Sequence, residues 1–155
     1  MLESWLDYHR ATLLLRCEGL TDDQLRTRSV PPSALSLLGL VRHLTEVERN
    51  WFCRTLAAED VESVYCSDTN RDGDFDDVGT ADVAGDMARF RAEVERCRDV
   101  AAHHPDLDVL GTGVRGGRRV SVSLRWIYVH MIEEYARHNG HADFLRERID
   151  GVTGG

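Results

Sequence analysis

Glu134 and His138 are the residues of this chain whose types and spacing invite chemistry. They lie in residues 126–148, WIYVHMIEEYARHNGHADFLRER. Wound on a helix at about 100° per residue, Leu124, Ile127, Met131, Leu145 and Ile149 share one side, and both polar residues fall inside that arc. An ionised carboxylate on a core-facing stripe is costly unless it is paired, hydrogen-bonded or bound to a metal. Residues four apart point together, which suits two ligands of one metal. His130 and His141 flank the same face, so the helix offers more donors than one ion needs.

Two ligands on one helix leave an open metal site short of a third, which another element must supply. His43 is a candidate. It borders the stripe Leu37, Leu40, Leu44, Val47 and Trp51 of a helix expected over residues 35–58, capped by Ser33 or Ser36. Taken alone, a histidine there reads as a hydrogen-bonded core residue; the presence of Glu134 and His138 elsewhere shifts the balance toward a ligand. Glu46, Asn139 and His141 are placed to orient the ligands, and Tyr135 and Trp51 to fill the core or line a cavity.

The positioning elements follow from periodicity and punctuation. A first helix is expected over residues 2–18, with Leu2, Trp5, Leu6, Leu13 and Cys17 as its stripe and His9 at the edge, ended by Gly19. Thr21 and Gln24 match a capping box. A third helix is expected over residues 81–103, with Val83, Met87, Phe90, Val94 and Cys97 inward, and the last from about 123 to 148. The fold class expected is all-α: a four-helix bundle with a long crossover between the second and third helices and a short hairpin or loop before the fourth, in one domain spanning 1–155.

Two motifs are decoys. Asp68, Asn70, Asp72, Gly73, Asp74 and Asp76 follow the spacing of a calcium-binding loop, yet its twelfth position is Gly79, where a bidentate glutamate is needed. Residues 59–79 read instead as a solvated acidic crossover. Gly111, Gly113 and Gly116 spell GxGxxG, but an alternating VSVSL follows where a dinucleotide motif opens a helix. A hairpin or loop turning at Gly116-Gly117 fits better.

Composition bounds the function. The chain has 155 residues, 30% charged and 42% hydrophobic, with a net charge of −8. That argues against nucleic acid or an anionic membrane as partner. No apolar run reaches the length of a membrane span, and the start lacks a signal-peptide pattern. The four cysteines (Cys17, Cys53, Cys66, Cys97) form no CxxC, so reduced thiols and a cytoplasmic location are expected. Outward apolar residues such as Ile132 raise the expectation of a homodimer.

LVRHLTEVERNWF (40–52) and HMIEEYARHNGHADFLRE (130–147) resemble the DinB/YfiT-like superfamily, close to its mycothiol-dependent maleylpyruvate isomerase branch, and the resemblance extends over nearly the whole chain. It implies a four-helix bundle holding a divalent metal, zinc or nickel. The ligands it implies are one histidine of the second helix and two residues four apart on the last, here His43, Glu134 and His138. The isomerase branch has glutamate where Glu134 stands; many other relatives have histidine. The resemblance also implies a low-molecular-weight thiol as cosubstrate and a small electrophile as substrate. An open position on such an ion stabilises a thiolate, which makes the expected activity that of a thiol S-transferase or isomerase. The same site could activate water as a hydrolase, and a site closed by a fourth ligand, His130 or His141, would make the bundle a non-catalytic metal-binding or structural protein.

Overall fold

The computed structural model describes residues 1–115 and 117–154. It is mostly helical, with one two-stranded sheet, the short hairpin expected before the last helix. Helix α1 spans Leu2–Cys17, α2 Asp22–Arg26, α3 Leu37–Glu48, α4 Gly73–Asp76, α5 Val83–Ala102 and α6 Leu124–Asp150. Strands β1 (Leu110–Arg115) and β2 (Arg118–Ser123) lie between α5 and α6. The helix expected over 35–58 is divided: α3 passes into a π-helical segment over Arg49–Leu56.

Side-chain chemistry sets most boundaries. Thr21 and Gln24 form the capping box of α2, each side chain accepting from the other's backbone N–H. Ser36, not Ser33, caps α3 by accepting from the Gly39 N–H. Asp82 caps α5, and Ser123 caps α6 by accepting from Trp126. Gly151, at φ 81°, closes α6 in the left-handed conformation that glycine adopts without penalty.

Side-chain pairings give the helix directions. His9 meets Asn139 and Arg16 meets Asp143, so α1 runs with α6. Arg42 meets Asp86 and Arg49 meets Glu93, so α3 and its π-helical continuation run with α5. His43 meets Glu134 while Trp51 meets Trp126, so α3 opposes α6. Two neighbouring helices of the same direction need a connection that returns along their length, which residues 57–82 supply.

The inward residues of α3, α5 and α6 are largely those expected: Leu37, Leu40, Leu44, Phe90, Val94, Cys97, Leu124, Ile127, Met131 and Leu145 are all buried. The α1 stripe differs. Trp5 is exposed, and the inward position goes to Arg10. Arg10 donates from Nε and Nη2 to the two oxygens of the fully buried Glu48, both at 2.7 Å, and Tyr135 donates its hydroxyl to Glu48 at 2.8 Å. A fork-to-fork pair satisfies most of the polar atoms that burial would otherwise strand. Ile132 is packed partly against the core rather than presented outward.

The hairpin packs on the π-helical segment. A Cβ added to Gly111 would lie 2.4 Å from the Thr55 carbonyl oxygen, and one on Gly113 would lie 2.5 Å from Thr55 Oγ1. Two glycines of the GxGxxG string therefore serve close packing. Gly117 takes φ +75° in the turn, whereas Gly116 lies outside the described residues.

Candidate metal centre

The second turn of α3 carries His43, and the middle of α6 carries Glu134 and His138. Opposed helix directions bring the three together. His43 Nε2 and His138 Nε2 lie 3.5 and 3.4 Å from the same atom, Glu134 Oε1. One donor atom from each residue falls within 4.8 Å of the others, a grouping able to hold a metal ion. Glu134 is 9% exposed and His138 8%.

Each donor is held from behind. Asp74 Oδ2 accepts from His43 Nδ1 at 2.8 Å, while Asp74 Oδ1 accepts from the Phe75 N–H at 3.1 Å. Phe75 stacks on the His43 ring at 5.0 Å and also fits against Gly39. Arg137 pairs with Glu134 Oε2, which leaves Oε1 to face the two rings. His141 Nδ1 lies 3.3 Å from His138 Nδ1. Support of the outer ring nitrogen fixes the tautomer that offers the inner lone pair.

A cation belongs at this point for an electrostatic reason. With His43 donating to Asp74, its Nε2 lone pair looks at a carboxylate oxygen; two acceptors in that position repel unless a proton or a metal ion stands between them. The charges record this. The histidine contacts, first His138 and then His43, outweigh burial and hold Glu134 well below the usual carboxylate range. Burial disfavours a charged His43, but Asp74 and Glu134 outweigh it, and the imidazolium is pushed up to about 9. Two imidazole nitrogens and a carboxylate oxygen are a fitting donor set for a divalent ion such as zinc.

The other residues singled out by position are placed elsewhere. His130 lies between Trp126 and Trp51, its Nδ1 3.2 Å from Glu133. Asn139 donates to the His9 carbonyl at 3.0 Å. Glu46 accepts from the backbone N–H groups of Val64, Tyr65 and Cys66 at 2.6, 2.6 and 3.3 Å. Tyr135 is core. Among the three second-layer candidates, only His141 touches a proposed ligand. Asp74, the strongest outer contact, was missed: nothing in an aspartate-rich run marks the one that turns inward. Arg137, three residues after Glu134, was legible from spacing.

The crossover is largely irregular and exposed, as expected, but it is pinned to the helices. Besides Glu46, Arg49 donates to the Glu62 carbonyl at 2.8 Å, Arg54 to the Val61 carbonyl at 2.6 Å, and Arg42 lies 4.6 Å above the Tyr65 ring. So pinned, residues 61–75 wall a cavity of about 310 Å³ that opens on His43, with Asn50, Trp51, Arg54 and Cys66 on its sides. A larger cavity, about 540 Å³, lies between Met1 and Leu124. Its α6 lining is at Leu124–Val129, roughly 15 Å along the helix from His138 at 1.5 Å per residue. No described helix is long and apolar enough to cross a membrane.

A comparison with curated proteins finds no match. The family model described as Mycothiol-S-transferase, a DinB/YfiT-like family, matches residues 1–151, and the chain belongs to that family.

Proposed function

We propose that the protein is a metal-dependent thiol S-transferase in which His43, Glu134 and His138 hold one divalent ion, zinc before nickel. Its cosubstrate is a mycothiol-type low-molecular-weight thiol and its substrate a small electrophile. In this reading α1, α3, α5 and α6 are the four helices of a DinB-like bundle, working in the cytoplasm.

The observation that carries the proposal is the convergence of three acceptor atoms within 4.8 Å of one another beside a cavity. The group has three protein donors, one fewer than a closed structural zinc site takes. His130 is turned into the tryptophans, and His141 faces the outer nitrogen of His138. That supports an open position rather than the non-catalytic alternative.

A bound divalent ion favours the deprotonated form of a thiol that reaches it. The protein's own residues do the rest. Asp74 keeps His43 in the tautomer with its Nε2 lone pair inward. Arg137 balances charge on Glu134. The pinned crossover walls the cavity beside His43, and Asn50, Arg54 and Trp51 in its lining offer contacts to the polar body of a thiol or electrophile. The sulfur forms a bond to an electrophilic carbon; a leaving group departs with its electron pair, or, with an activated alkene, the neighbouring carbon takes up a proton.

The test is elemental analysis of untagged protein beside Glu134→Ala and His138→Ala, followed by thiol consumption across a panel of electrophiles. Near-stoichiometric metal in the native protein, absent from both variants, with metal-dependent loss of thiol, is expected. No metal after reloading with zinc or nickel refutes the site. Turnover without thiol that chelation abolishes would instead establish a hydrolase.

A further inference from the structure

A second constellation lies in the core, apart from the metal centre. Cys53 on the π-helical segment, with Glu93 and Cys97 one turn apart on α5, brings two sulfurs and a carboxylate oxygen within 4.8 Å of one another. Both cysteines are fully buried and Glu93 is 7% exposed. The Cys53 thiol donates to Glu93 Oε1 at 3.5 Å, and Arg49 donates to Glu93 Oε2 at 2.9 Å. Nothing in the proposed thiol transfer uses these groups.

The donor set could take a soft metal, but two features argue against it. Three protein donors in a fully buried site leave a tetrahedral zinc without its fourth ligand. Arg49 already supplies positive charge to the only carboxylate, and Arg96 adds to the field at Cys53. A disulfide uses the two sulfurs alone and needs no fourth ligand. Each cysteine projects from a helix next to the other's, and the sulfurs, within 4.8 Å, have to close to the roughly 2.05 Å of an S–S bond. Glu93 stands where it can take the proton of Cys53. Hydrogen bonding from Cys97 lowers the Cys53 thiol, whereas Cys53 and burial raise Cys97. The pair therefore divides into a sulfur that ionises first and one that keeps its proton.

We propose that Cys53 and Cys97 are a reversible redox pair whose disulfide staples the π-helical segment to α5, with Glu93 as the proton acceptor. The oxidant is a hydroperoxide, small enough to enter through local opening of the segment. The Cys53 thiolate attacks the peroxide oxygen, the O–O bond breaks, and Cys53 becomes a sulfenic acid as the alkoxide or hydroxide leaves and takes up a proton. The Cys97 sulfur then displaces hydroxide from Cys53, its own proton completing a water. Two thiols are oxidised and one peroxide is reduced; two equivalents of a low-molecular-weight thiol reverse the step and leave as their disulfide. Because Asn50, Trp51 and Arg54 belong to the same segment, the staple fixes one wall of the cavity beside His43.

The test exposes metal-loaded protein to graded hydrogen peroxide, alkylates the remaining thiols after unfolding, and maps all four cysteines by mass spectrometry. The expected result is a linked Cys53–Cys97 peptide pair that reductant reverses, with Cys17 alkylated throughout. The oxidised form should also melt above the reduced one. Cys53→Ser should leave Cys97 as a free thiol; the mapping on the unsubstituted chain does not depend on that variant folding. Both thiols still alkylated at peroxide levels that have consumed Cys66, pairing of either with another cysteine, or zinc beyond the first equivalent that protects both from alkylation would each overturn the proposal.

Discussion

Asp74→Asn removes one charge behind His43 and one of two acceptor oxygens: an amide oxygen in the place of Oδ2 still accepts from the ring, while the amide NH2 replaces the oxygen that accepted from the Phe75 N–H. Two effects of opposite sign follow. The carboxylate makes His43 a better donor to a metal, and losing such an outer partner typically weakens metal affinity by about 10- to 100-fold. The same carboxylate also holds a competing proton on the metal-free ring, pushed up to about 9. Each pH unit below that value weakens metal binding about tenfold, or about 1.4 kcal/mol, so at pH 7 the native site works at roughly a hundredth of its full affinity. In the variant only Glu134 remains to hold the proton, and the penalty shrinks. The two curves must therefore converge toward neutral pH. The native affinity rises with a slope near one log unit per pH unit up to about 9, while the variant reaches its plateau earlier and lower. Competition for zinc against a chromophoric chelator, from pH 6.5 to 9, reads this directly. The deficit of Asp74→Asn should be greatest at pH 9. Parallel curves, or undiminished affinity at pH 9, would refute the coupling of Asp74 to His43.

Other outcomes follow from the same structure. In the metal-free protein His43 stands above its ordinary 6.5, so its stabilising contribution is complete below 6.5 and is lost as pH rises through about 9; at about 1.4 kcal/mol per unit this is on the order of 3 kcal/mol. Urea unfolding of apo protein at pH 6.5 and 9 should show the loss, and His43→Gln should flatten it. Glu48→Ala leaves the buried Arg10 guanidinium with only the half-exposed Asp7 and should cost about 3 kcal/mol, whereas Arg10→Met with Glu48→Leu should recover part of that. Gly111→Ala drives a methyl to within 2.4 Å of the Thr55 carbonyl oxygen and should cost about 1–3 kcal/mol. Gly140→Ala, in open space on α6, should instead stabilise by roughly 0.5–1 kcal/mol, and thermal melts of the two separate a packing glycine from a dispensable one.

What the sequence discloses about the fold is what short-range rules govern. The stripes of α3, α5 and α6 survive because 3.6-residue periodicity and burial select the same residues, and the capping box at Thr21 is a contact between residues three apart. Trp5 and Arg10 show the limit. On α1 an indole looks like core and a guanidinium like surface, yet the fork of Glu48, thirty-eight residues away, draws Arg10 inward and leaves Trp5 outside. The passage of α3 into π-helical winding at Arg49 has no comparable mark in the sequence.

The candidate site divides along the same line. Glu134 and His138 are neighbours on one helix, so a polar pair on an apolar stripe announces itself before any tertiary structure is known. His43 comes from another helix and needed the resemblance to join them. Asp74 was the hardest to see because the calcium-like spacing around it is a property of the chain, whereas its function depends on where a four-residue helix is laid down. Phe75 is what lays it there: packed against Gly39 and the face of His43, it turns the preceding aspartate toward Nδ1. With the Nδ1–H of a neutral His43 donated to that carboxylate, Nε2 presents a lone pair to Glu134, and a buried meeting of acceptors is stable only with a cation between them. The need for a partner was implicit in a glutamate on an apolar stripe; the second imidazole, His138, meets the same carboxylate oxygen from the other side and favours the proposed metal over a lone proton.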